Sequence, residues 1–342
     1  MVRELLIFCI MLLSLPAGAI SNEDKKQVVR VGHFPNVTHS QAVIGHGLSR
    51  ENRGWFEKYL GPNVEVQWFI YSAGPSAMEA VFANSIDLVY AGPSPTINAY
   101  VRSKGEEVRV VCGACFGGSA LVVQQGAIKA ISDFKNNIVA TPQLGNSQDV
   151  AARYWFRSKG FEFTLTGGDI RILPMENVDQ LTLFKQRDLI AAWNVEPWVS
   201  RLVLEAQGEI YLEEAKLWPE TDGKYVTTHL VSSRAFLENH PNLVKNWIRA
   251  HVDLTSWINH HPQEAQDLFN REIQKEIFQP LAENVLKRAW SKLEATYNPL
   301  PASVWRYSKM AYEIGFFKQK PDLSHLYELK LLHEVLEENR SL

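Results

Sequence analysis

The sequence predicts an α/β protein of two lobes, built on largely parallel sheets with a central ligand cleft. Three observations lead to this prediction. The chain has 342 residues, of which 46% are apolar; strand and helix patterns alternate along residues 28–225; and mainly helical patterns follow. Such a length is enough for two domains of ordinary size. Alternation of strands with helices is typical of parallel sheets covered by helices.

The first lobe is predicted from residues 28–118 together with the returning segment 226–342. Apolar runs bounded by turn residues predict strands at 28–32, 64–71, 86–90 and 108–112. Two helix starts match the capping box, in which Ser or Thr is followed three residues later by Glu or Gln. The Ser or Thr of these boxes is Thr38 in the first and Ser76 in the second.

The second lobe is predicted from residues 119–225. Its strands are expected at 120–123, 137–140, 169–173 and 190–193, with helices at 150–156 and 179–185. The chain then runs back through an extended segment at 225–231. Helical patterns follow at 234–239, 241–260, 262–273, 281–290, 301–314 and 323–338. Two crossings between the lobes, near 118 and 226, are the economical interpretation.

Residues 1–19 are predicted to be a signal peptide. Arg3 supplies a positive start, Leu5 to Leu15 form an apolar run, and Ala17 and Ala19 are small residues at the −3 and −1 positions of a cleavage site. The alternative is an uncleaved anchor, but the run is short against the roughly 20 residues that a bilayer span needs. We therefore expect export, cleavage after about Ala19 and a periplasmic location.

Charge and motifs argue against several function classes. The net charge is −3 and the pI is about 6.4, which leaves no electrostatic footprint for nucleic acid. Neither G-x-G-x-x-G nor G-x-x-x-x-G-K-[ST] occurs, so dinucleotide and P-loop sites are not predicted. The stretch GGSAL at 117–121 lacks the second glycine of the hydrolase motif G-x-S-x-G. No nucleophile with a partner base is found, and no enzyme is predicted.

Cys112 and Cys115 form a C-x-x-C pattern after an apolar run. In a redox site this motif normally opens a helix, whereas here it continues a strand pattern. Residues three apart in a strand are roughly 10 Å apart, which is too far for a disulfide. We interpret both cysteines as small buried residues.

Four histidines raise the question of a metal site: His33, His39, His46 and His229. A helical metal motif uses histidines four residues apart, which share one face. The spacings of 6 and 7 among the first three histidines do not match it. No metal and no other cofactor is therefore predicted.

Polar turns between a strand and a helix occur four times. They are Asn36-Val37-Thr38-His39, Gly74-Pro75-Ser76, Gly92-Pro93-Ser94-Pro95 and Gly145-Asn146-Ser147. In open α/β sheets such turns lie where ligands bind, and the first-turn N–H groups and helix dipole attract anions. In the third turn, Ser94 is the expected N-cap and Pro95 the first helical residue. Lys and Arg are sparse in these turns, which indicates a small anion. The alternative is that the turns do not converge and are merely the starts of well-capped helices.

The segment Trp193-Asn194-Val195-Glu196-Pro197-Trp198 places two tryptophans around a carboxylate at a strand end. Aromatic faces beside a carboxylate suit a small ligand with an alkyl or ammonium part. The other interpretation is that both tryptophans are core residues and that Glu196 is a solvated turn residue. Sequence alone leaves both open.

Several stretches resemble one known family. They are GHFPNVTHSQAVIG, YSAGPSAMEAVFANSIDLVYAGPSPTINAY, GGSALVV, IVATPQLGNSQDVAARYW, LTLFKQRDLIAAWNVEPWVSRLV and YVTTHLVSS. Together, over residues 28–315, they resemble the periplasmic substrate-binding proteins of ABC importers for aliphatic sulfonates, taurine and nitrate. The resemblance implies a type II periplasmic binding fold that closes on its ligand. Thiamine-precursor receptors also belong to this family.

The resemblance also implies which residues line the cleft. They are Asn36, Thr38, His39, Ser72, Gly74, Ser94, Gly118, Ser119, Gln143, Asn146, Ser147, Gln148, Glu196, Thr228 and His229. We expect Ser94, Asn146 and Ser147 to hold sulfonate oxygens. Trp193 and Trp198 would flank the organic part, and Glu196 would pair with an ammonium group of a taurine-like ligand.

The expected function is that of a monomeric periplasmic receptor. It would bind a small anionic ligand, a sulfonate such as taurine or an alkanesulfonate, and deliver it to an ABC permease in the inner membrane. A nitrate or thiamine-precursor receptor of the same fold remains an alternative. An enzyme that uses the same cleft is the third possibility.

Overall fold

The computed structural model describes residues 26–164 and 167–340. Two mixed sheets with helices packed around them form two lobes, and the predicted α/β class is confirmed. The predicted signal peptide lies outside the described residues. None of the helices in the described ranges combines the length and the hydropathy that a membrane span requires.

The strands follow the apolar runs of the sequence. They are β1 Gln27–His33, β2 Val64–Ile70, β3 Leu88–Ala91, β4 Val108–Gly117, β5 Ser119–Gln124, β6 Ile138–Thr141, β7 Arg171–Pro174, β8 Ala191–Val195, β9 Gly208–Glu213, β10 Val226–Ser233 and β11 Leu293–Ala295. Most lie in the predicted segments, because a buried strand needs a continuous apolar run. The half-buried β9 and the three-residue β11 were not predicted.

The helices are α1 Ser40–Arg50, α2 Trp55–Leu60, α3 Gly74–Phe82, α4 Pro93–Arg102, α5 Ser147–Ser158, α6 Asn177–Gln186, α7 Trp198–Glu205, α8 Arg234–Asn239, α9 Pro241–His260, α10 Pro262–Ile277, α11 Glu283–Trp290, α12 Pro301–Glu313 and α13 Lys330–Arg340. Short 3-10 turns lie at Val37–His39, Ile131–Phe134, Glu214–Leu217 and Pro219–Thr221. The six-residue α2 and the eight-residue α7 were not predicted.

The six-stranded sheet has the order β11-β4-β10-β3-β1-β2, and the five-stranded sheet has the order β7-β6-β8-β5-β9. We call the parts built on them the first and the second lobe. Strands β1, β2 and β3 are parallel, as are β6, β7 and β8. However, β10 and β11 in the first sheet and β5 and β9 in the second run antiparallel to their neighbours. The sheets are therefore mixed, and the expectation of largely parallel sheets was wrong.

The chain changes sheet directly between β4 and β5, through Gly117 and Gly118. Both glycines have positive φ angles, 80° and 85°, in the region that other residues rarely adopt. A Cβ at Gly117 would also lie 3.0 Å from the carbonyl oxygen of Lys292. The second change of sheet falls between Glu213 and Val226. Glycine is thus required at the first of these two crossings.

The C-terminal helices connect the two lobes. Helix α12 packs against α4 of the first lobe and α5 of the second, while α11 packs against α7. In the first lobe, the rings of Phe56 and Trp247 stack with their centroids 4.0 Å apart, which joins α2 to α9. One cluster of buried apolar side chains contains residues of both sheets, including Val89 and Trp193. The base of the cleft is therefore packed and not open.

Three predicted helix caps differ from the structure. Asn36, and not Thr38, precedes the first helical turn. Helix α3 begins at Gly74, so Ser76 lies inside it and its Oγ donates to the carbonyl of Ala73 at 2.8 Å. Helix α4 begins at Pro93 after Gly92, and Ser94 is not its N-cap. Proline fits the first positions of a helix, so α3 and α4 begin earlier than their serines suggested.

Cys112 and Cys115 are free, buried residues of β4, as predicted. Burial raises the pKa of both thiols, that of Cys115 to about 12. Thiolates are the reactive form of cysteine, so neither side chain is suited to redox chemistry at neutral pH.

Candidate functional site

A small cavity lies where the two lobes meet, at the ends of the strands. The first lobe lines it with Phe34, Asn36, Thr38, His39, Ser72, Ala73, Gly74, Gly92, Pro95 and Thr227. The second lobe contributes Pro142, Asn146, Ser147, Gln148, Asn177 and Val195. The free volume is about 40 Å³, which is room for about three to four water molecules. The cavity therefore offers space for a small group.

All four predicted polar turns reach this cavity. Each contains, or directly follows, the residue that precedes a helical turn: Asn36, Ala73, Gly92 and Asn146. The first N–H groups of a helix have no partner within the helix, and the helix dipole adds partial positive charge at the same end. Convergence of four helix starts makes the cavity attractive to an anion.

Two glycines allow the helix starts to approach each other. A Cβ at Gly74 would lie 2.3 Å from the Cγ of Pro95, and a Cβ at Gly92 would lie 2.9 Å from the Oγ of Ser147. The backbone N–H of Ser94 donates to the same Oγ at 3.3 Å, which joins α4 of the first lobe to α5 of the second. The lobes are thus within hydrogen-bonding distance across the cavity.

Hydrogen bonds fix the polar side chains at the start of α5. The Oδ1 of Asn146 accepts from the backbone N–H of Asp149 at 2.8 Å, which caps the helix. The side chain of Gln148 donates to the Oγ of Ser119 at 3.0 Å. Asp149 is held in turn by the hydroxyl of Thr141 at 2.8 Å. These side chains are positioned before any ligand binds.

The lining carries no Asp, Glu, Lys or Arg among the residues that the structure describes. Its single titratable side chain is His39, whose ring lies against Phe34 with the centroids 4.4 Å apart. Burial lowers the pKa of His39 well below its ordinary value, so the ring is neutral at neutral pH. An anion in the cavity would be held by neutral groups and helix dipoles.

Five buried polar atoms at predicted site residues have no hydrogen-bond partner within the described part of the chain. They are His39 Nδ1, Ser94 Oγ, Gln143 Oε1, Thr228 Oγ1 and His229 Nδ1. Each residue lines the cavity or lies within two residues of one that does. A buried polar group without a partner costs about 1–3 kcal/mol. Among them, His39 Nδ1 belongs to a residue that lines the cavity, and it is a candidate contact for a polar ligand.

Eight predicted site residues line the cavity: Asn36, Thr38, His39, Ser72, Gly74, Asn146, Ser147 and Gln148. Four others do not line it, although they lie next to or near lining residues in sequence: Ser94, Gln143, Thr228 and His229. Ser94 lines a neighbouring opening beside Phe316 and Phe317. The Nε2 of His229 lies 3.0 Å from the carbonyl oxygen of Pro299.

Glu196 lies in a separate place, with Gly118 and Ser119, beside Arg288. One carboxylate oxygen accepts from the backbone N–H of Ser200 at 2.9 Å and the other from the Arg288 guanidinium at 3.2 Å. Burial raises the pKa of Glu196 to about 6, so the carboxylate is ionised at neutral pH. The partner of Glu196 is thus Arg288, and the expected pairing with a ligand ammonium has no support in the geometry.

Trp193 and Trp198 are core residues. The indole of Trp193 is fully buried, and its Nε1 donates to the Oε2 of Glu214 at 2.8 Å. Trp198 packs in the core of the second lobe, with the guanidinium of Arg201 4.8 Å from its ring centroid. Neither ring lines the cavity, so the structure corrects the expectation that they flank a ligand.

The apolar wall of the cavity was missed by the sequence argument. It consists of Phe34, Pro95, Pro142 and Val195. Asn177 was also missed; its Oδ1 accepts from Asn194 at 2.9 Å. Asn177 opens α6 directly after β7, so the same strand-turn-helix pattern that identified the other four turns would have found it.

Comparisons with known proteins support the same fold. A protein of Bacillus subtilis (strain 168), whose provisional name is aliphatic sulfonates-binding protein, is 22% identical over 327 residues, which is 95% of this chain and 92% of that protein. The alkanesulfonate-binding protein SsuA from Xanthomonas axonopodis pv. citri, solved bound to MOPS, has a TM-score of 0.71 at 17% identity, over 89% of this chain and 99% of that one.

The periplasmic nitrate-binding protein NrtA from Synechocystis PCC 6803 has a TM-score of 0.75 at 13% identity, over 92% of this chain and 89% of that one. Both solved structures share the two-lobed architecture with this chain. The family model that matches this sequence covers residues 22–271. On this evidence the chain belongs to the NMT1-like family.

Proposed function

We propose that this protein is an exported receptor that binds a small alkanesulfonate between its lobes and delivers it to an ABC permease. The observation that carries the proposal is the cavity of about 40 Å³ at four helix starts, with no charged side chain among its described lining residues. A sulfonate is anionic at every physiological pH and offers three acceptor oxygens. Helix N–H groups and neutral hydroxyl and amide groups can satisfy all three.

The cavity favours an alkyl group over an ammonium group beside the sulfonate. Its apolar wall, formed by Phe34, Pro95, Pro142 and Val195, suits a short alkyl chain. An ammonium group would need a carboxylate, and Glu196 is already paired with Arg288. We therefore propose an alkanesulfonate in preference to taurine. The names of the Bacillus relative and of SsuA support a sulfonate ligand.

Nitrate is the second candidate. The small volume of the cavity favours an ion of four heavy atoms, and the structural neighbour NrtA is named as a nitrate-binding protein. Nitrate would leave the apolar wall without a partner. This wall is the feature that ranks the alkanesulfonate first.

Periplasmic location, a monomeric state and delivery to a permease belong to the same proposal. The lobes would be formed by 28–118 with 226–342 and by 119–225, rotating about Gly117 and Gly118. A ligand that contacts both lobes stabilises the closed state, because it binds that state better than the open one. No enzymatic step is proposed.

Titration calorimetry tests the proposal. The mature chain is unfolded in guanidinium chloride to remove any bound molecule, refolded, and titrated with methanesulfonate, ethanesulfonate, taurine, nitrate and sulfate. We expect 1:1 binding of the alkanesulfonates. The affinity for taurine should be lower by about 10-fold or more. Tight nitrate binding without heat from any sulfonate would establish the second candidate and reject the first.

A further inference from the structure

Three side chains that are distant in sequence meet behind the cleft. His33 ends β1, His46 lies in α1 and Glu276 lies in α10. The Nε2 of His33 is 3.0 Å from the Nδ1 of His46, and the Oε1 of Glu276 is 3.1 Å from that Nδ1 and 3.3 Å from that Nε2. The side chains of His33 and Glu276 are fully buried, and that of His46 is 8% exposed. Three potential ligand atoms thus form one compact triangle.

We propose that His33, His46 and Glu276 form a binding site for a divalent transition-metal ion such as Zn²⁺. Nitrogen and carboxylate oxygen ligands of zinc lie at about 2.0–2.2 Å from the ion, so tetrahedral neighbours are roughly 3.3 Å apart. The observed separations of 3.0 to 3.3 Å are close to this value. Two imidazoles with one carboxylate are also a ligand set that zinc uses.

The second oxygen of Glu276 supports the assignment independently. Its Oε2 is buried and has no hydrogen-bond partner within the described part of the chain. It can complete the coordination as the second atom of a bidentate carboxylate, or leave a fourth position to water. An unpartnered carboxylate oxygen in a buried site is otherwise costly, and a bound cation offsets that cost.

Hydrogen bonding alone does not satisfy the triangle while Glu276 is ionised and both rings are neutral. The contacts of His33 and His46 with Glu276 each require a proton on the ring nitrogen that faces the carboxylate. Those two protons would then face each other across 3.0 Å. A metal ion removes this conflict, because it replaces both protons.

Arg50 gives the proposal a second, opposite test. Its Nε lies 3.0 Å from the Nε2 of His46 and 2.7 Å from the Oε1 of Glu272. Coordination through the Nδ1 of His46 places the ring proton on Nε2, so the Arg50 guanidinium must turn away. The Arg50 side chain is 44% exposed and has room to do so. Removal of Arg50 should therefore strengthen metal binding.

The experiment uses the full mature chain, treated with a chelator and dialysed, and titrated with Zn²⁺ by calorimetry. We expect one equivalent of Zn²⁺ per chain and a rise in the melting temperature. Glu276→Gln and His46→Gln should each weaken binding by at least about 100-fold, while Arg50→Gln should tighten it several-fold. The double variant His260→Gln/His261→Gln, at two exposed adjacent histidines, is the matched control and should bind Zn²⁺ like the unmodified chain.

Paramagnetic Co²⁺ locates the ion. The indole of Trp68 stacks on the His46 ring with centroids 5.5 Å apart and an interplanar angle of 13°. Co²⁺ should quench Trp68 fluorescence, and Trp68→Phe should remove that component of the quenching while one equivalent still binds. Quenching that is the same in Trp68→Phe would place the ion elsewhere and overturn the assignment.

The proposal is also overturned if the unmodified chain takes up no Zn²⁺ at about 0.1 mM. This concentration is on the order of the dissociation constants of weak extracellular cation sites. Wild-type uptake by Glu276→Gln would overturn it as well. If either ligand variant fails to fold, the opposite response expected of Arg50→Gln still decides, since unchanged or weaker binding there contradicts the geometry. Sulfonate titration of the same samples reports on the cleft separately.

Discussion

Two buried polar clusters begin within a few residues of each other, and they have opposite character. The described lining of the cleft begins at Phe34, directly after His33, and contains no formally charged side chain. The cluster at His33, His46 and Glu276 contains a buried carboxylate, with a second one close by at Glu272. The cleft attracts by oriented dipoles at helix starts, whereas the cluster attracts by a formal charge. Oriented dipoles suit an anion that is bound and released, whereas a buried formal charge suits a cation that remains bound.

The largest expected effect comes from adding a charge to the cleft. Asn146→Asp retains a side chain that caps α5, because Asp accepts from the N–H of Asp149 as Asn does. Two like charges about 5 Å apart repel by about 3 kcal/mol at a protein surface, so sulfonate affinity should fall more than about 100-fold. Titration calorimetry measures the sulfonate affinity of the variant against that of the unmodified chain.

Asn146→Ser is the control for that substitution, because it keeps a neutral cap. It should lose less than about 10-fold in sulfonate affinity. Zn²⁺ binding should be the same in both variants. Equal losses of sulfonate affinity in the two variants would show that charge is not what distinguishes the cleft.

A smaller effect is expected from Ser147→Ala. Its hydroxyl lines the cavity and accepts from the N–H of Ser94 across the cleft at 3.3 Å. Loss of one such hydrogen bond should lower sulfonate affinity about 10-fold. Ser158→Ala, at the far end of the same helix, is the matched control. An unchanged affinity in Ser147→Ala would exclude the hydroxyl from binding.

Glu196→Gln tests whether the carboxylate of Glu196 contacts a bound ligand. Because Glu196 pairs with Arg288, the ratio of ethanesulfonate to taurine affinity should change by less than about 3-fold. Both affinities can fall together, since the pair joins the lobes. A selective loss of taurine binding would restore Glu196 as a ligand residue and reverse the preference for alkanesulfonates.

The smallest effect concerns pH. A histidine of ordinary pKa, near 6.5, gains positive charge as the pH falls and would strengthen anion binding. The pKa of His39 is well below that value because the ring is buried, so the ring stays neutral between pH 8 and 6.5. Sulfonate affinity should therefore vary less than about 2-fold over that range. A several-fold rise toward pH 6.5 would mean that His39 titrates in the cleft.

Much of the fold follows from local patterns. Apolar runs located most strands, and helical periodicity placed α8 and α9 at the residues where the structure has them. The hydrophobic pattern of a strand does not show its direction relative to neighbouring strands, so the antiparallel course of β5 could not be predicted. Strand β9 was missed because it is a half-buried edge strand with only weak alternation.

The candidate site was predictable where it depends on turns and not where it depends on distant partners. Strand-to-helix turns identified Asn36, Gly74 and Asn146 because each local pattern is complete within a few residues. Glu196 was misjudged because Arg288 lies 92 residues away in sequence. His33 and His46 were set aside on their spacing alone, and Glu276, which joins them, lies 230 residues beyond His46.

The pair of Glu196 and Arg288 has a consequence for how long a ligand stays bound. Helix α7, next to Glu196, belongs to the second lobe, while β11, which follows α11 and its Arg288, is part of the first sheet. In the proposed opening by rotation of the lobes, these two side chains would separate, so part of the barrier to release would lie away from the ligand itself. Variants at Arg288 should shorten the residence time of every ligand alike, while contacts in the cavity decide which ligand is chosen.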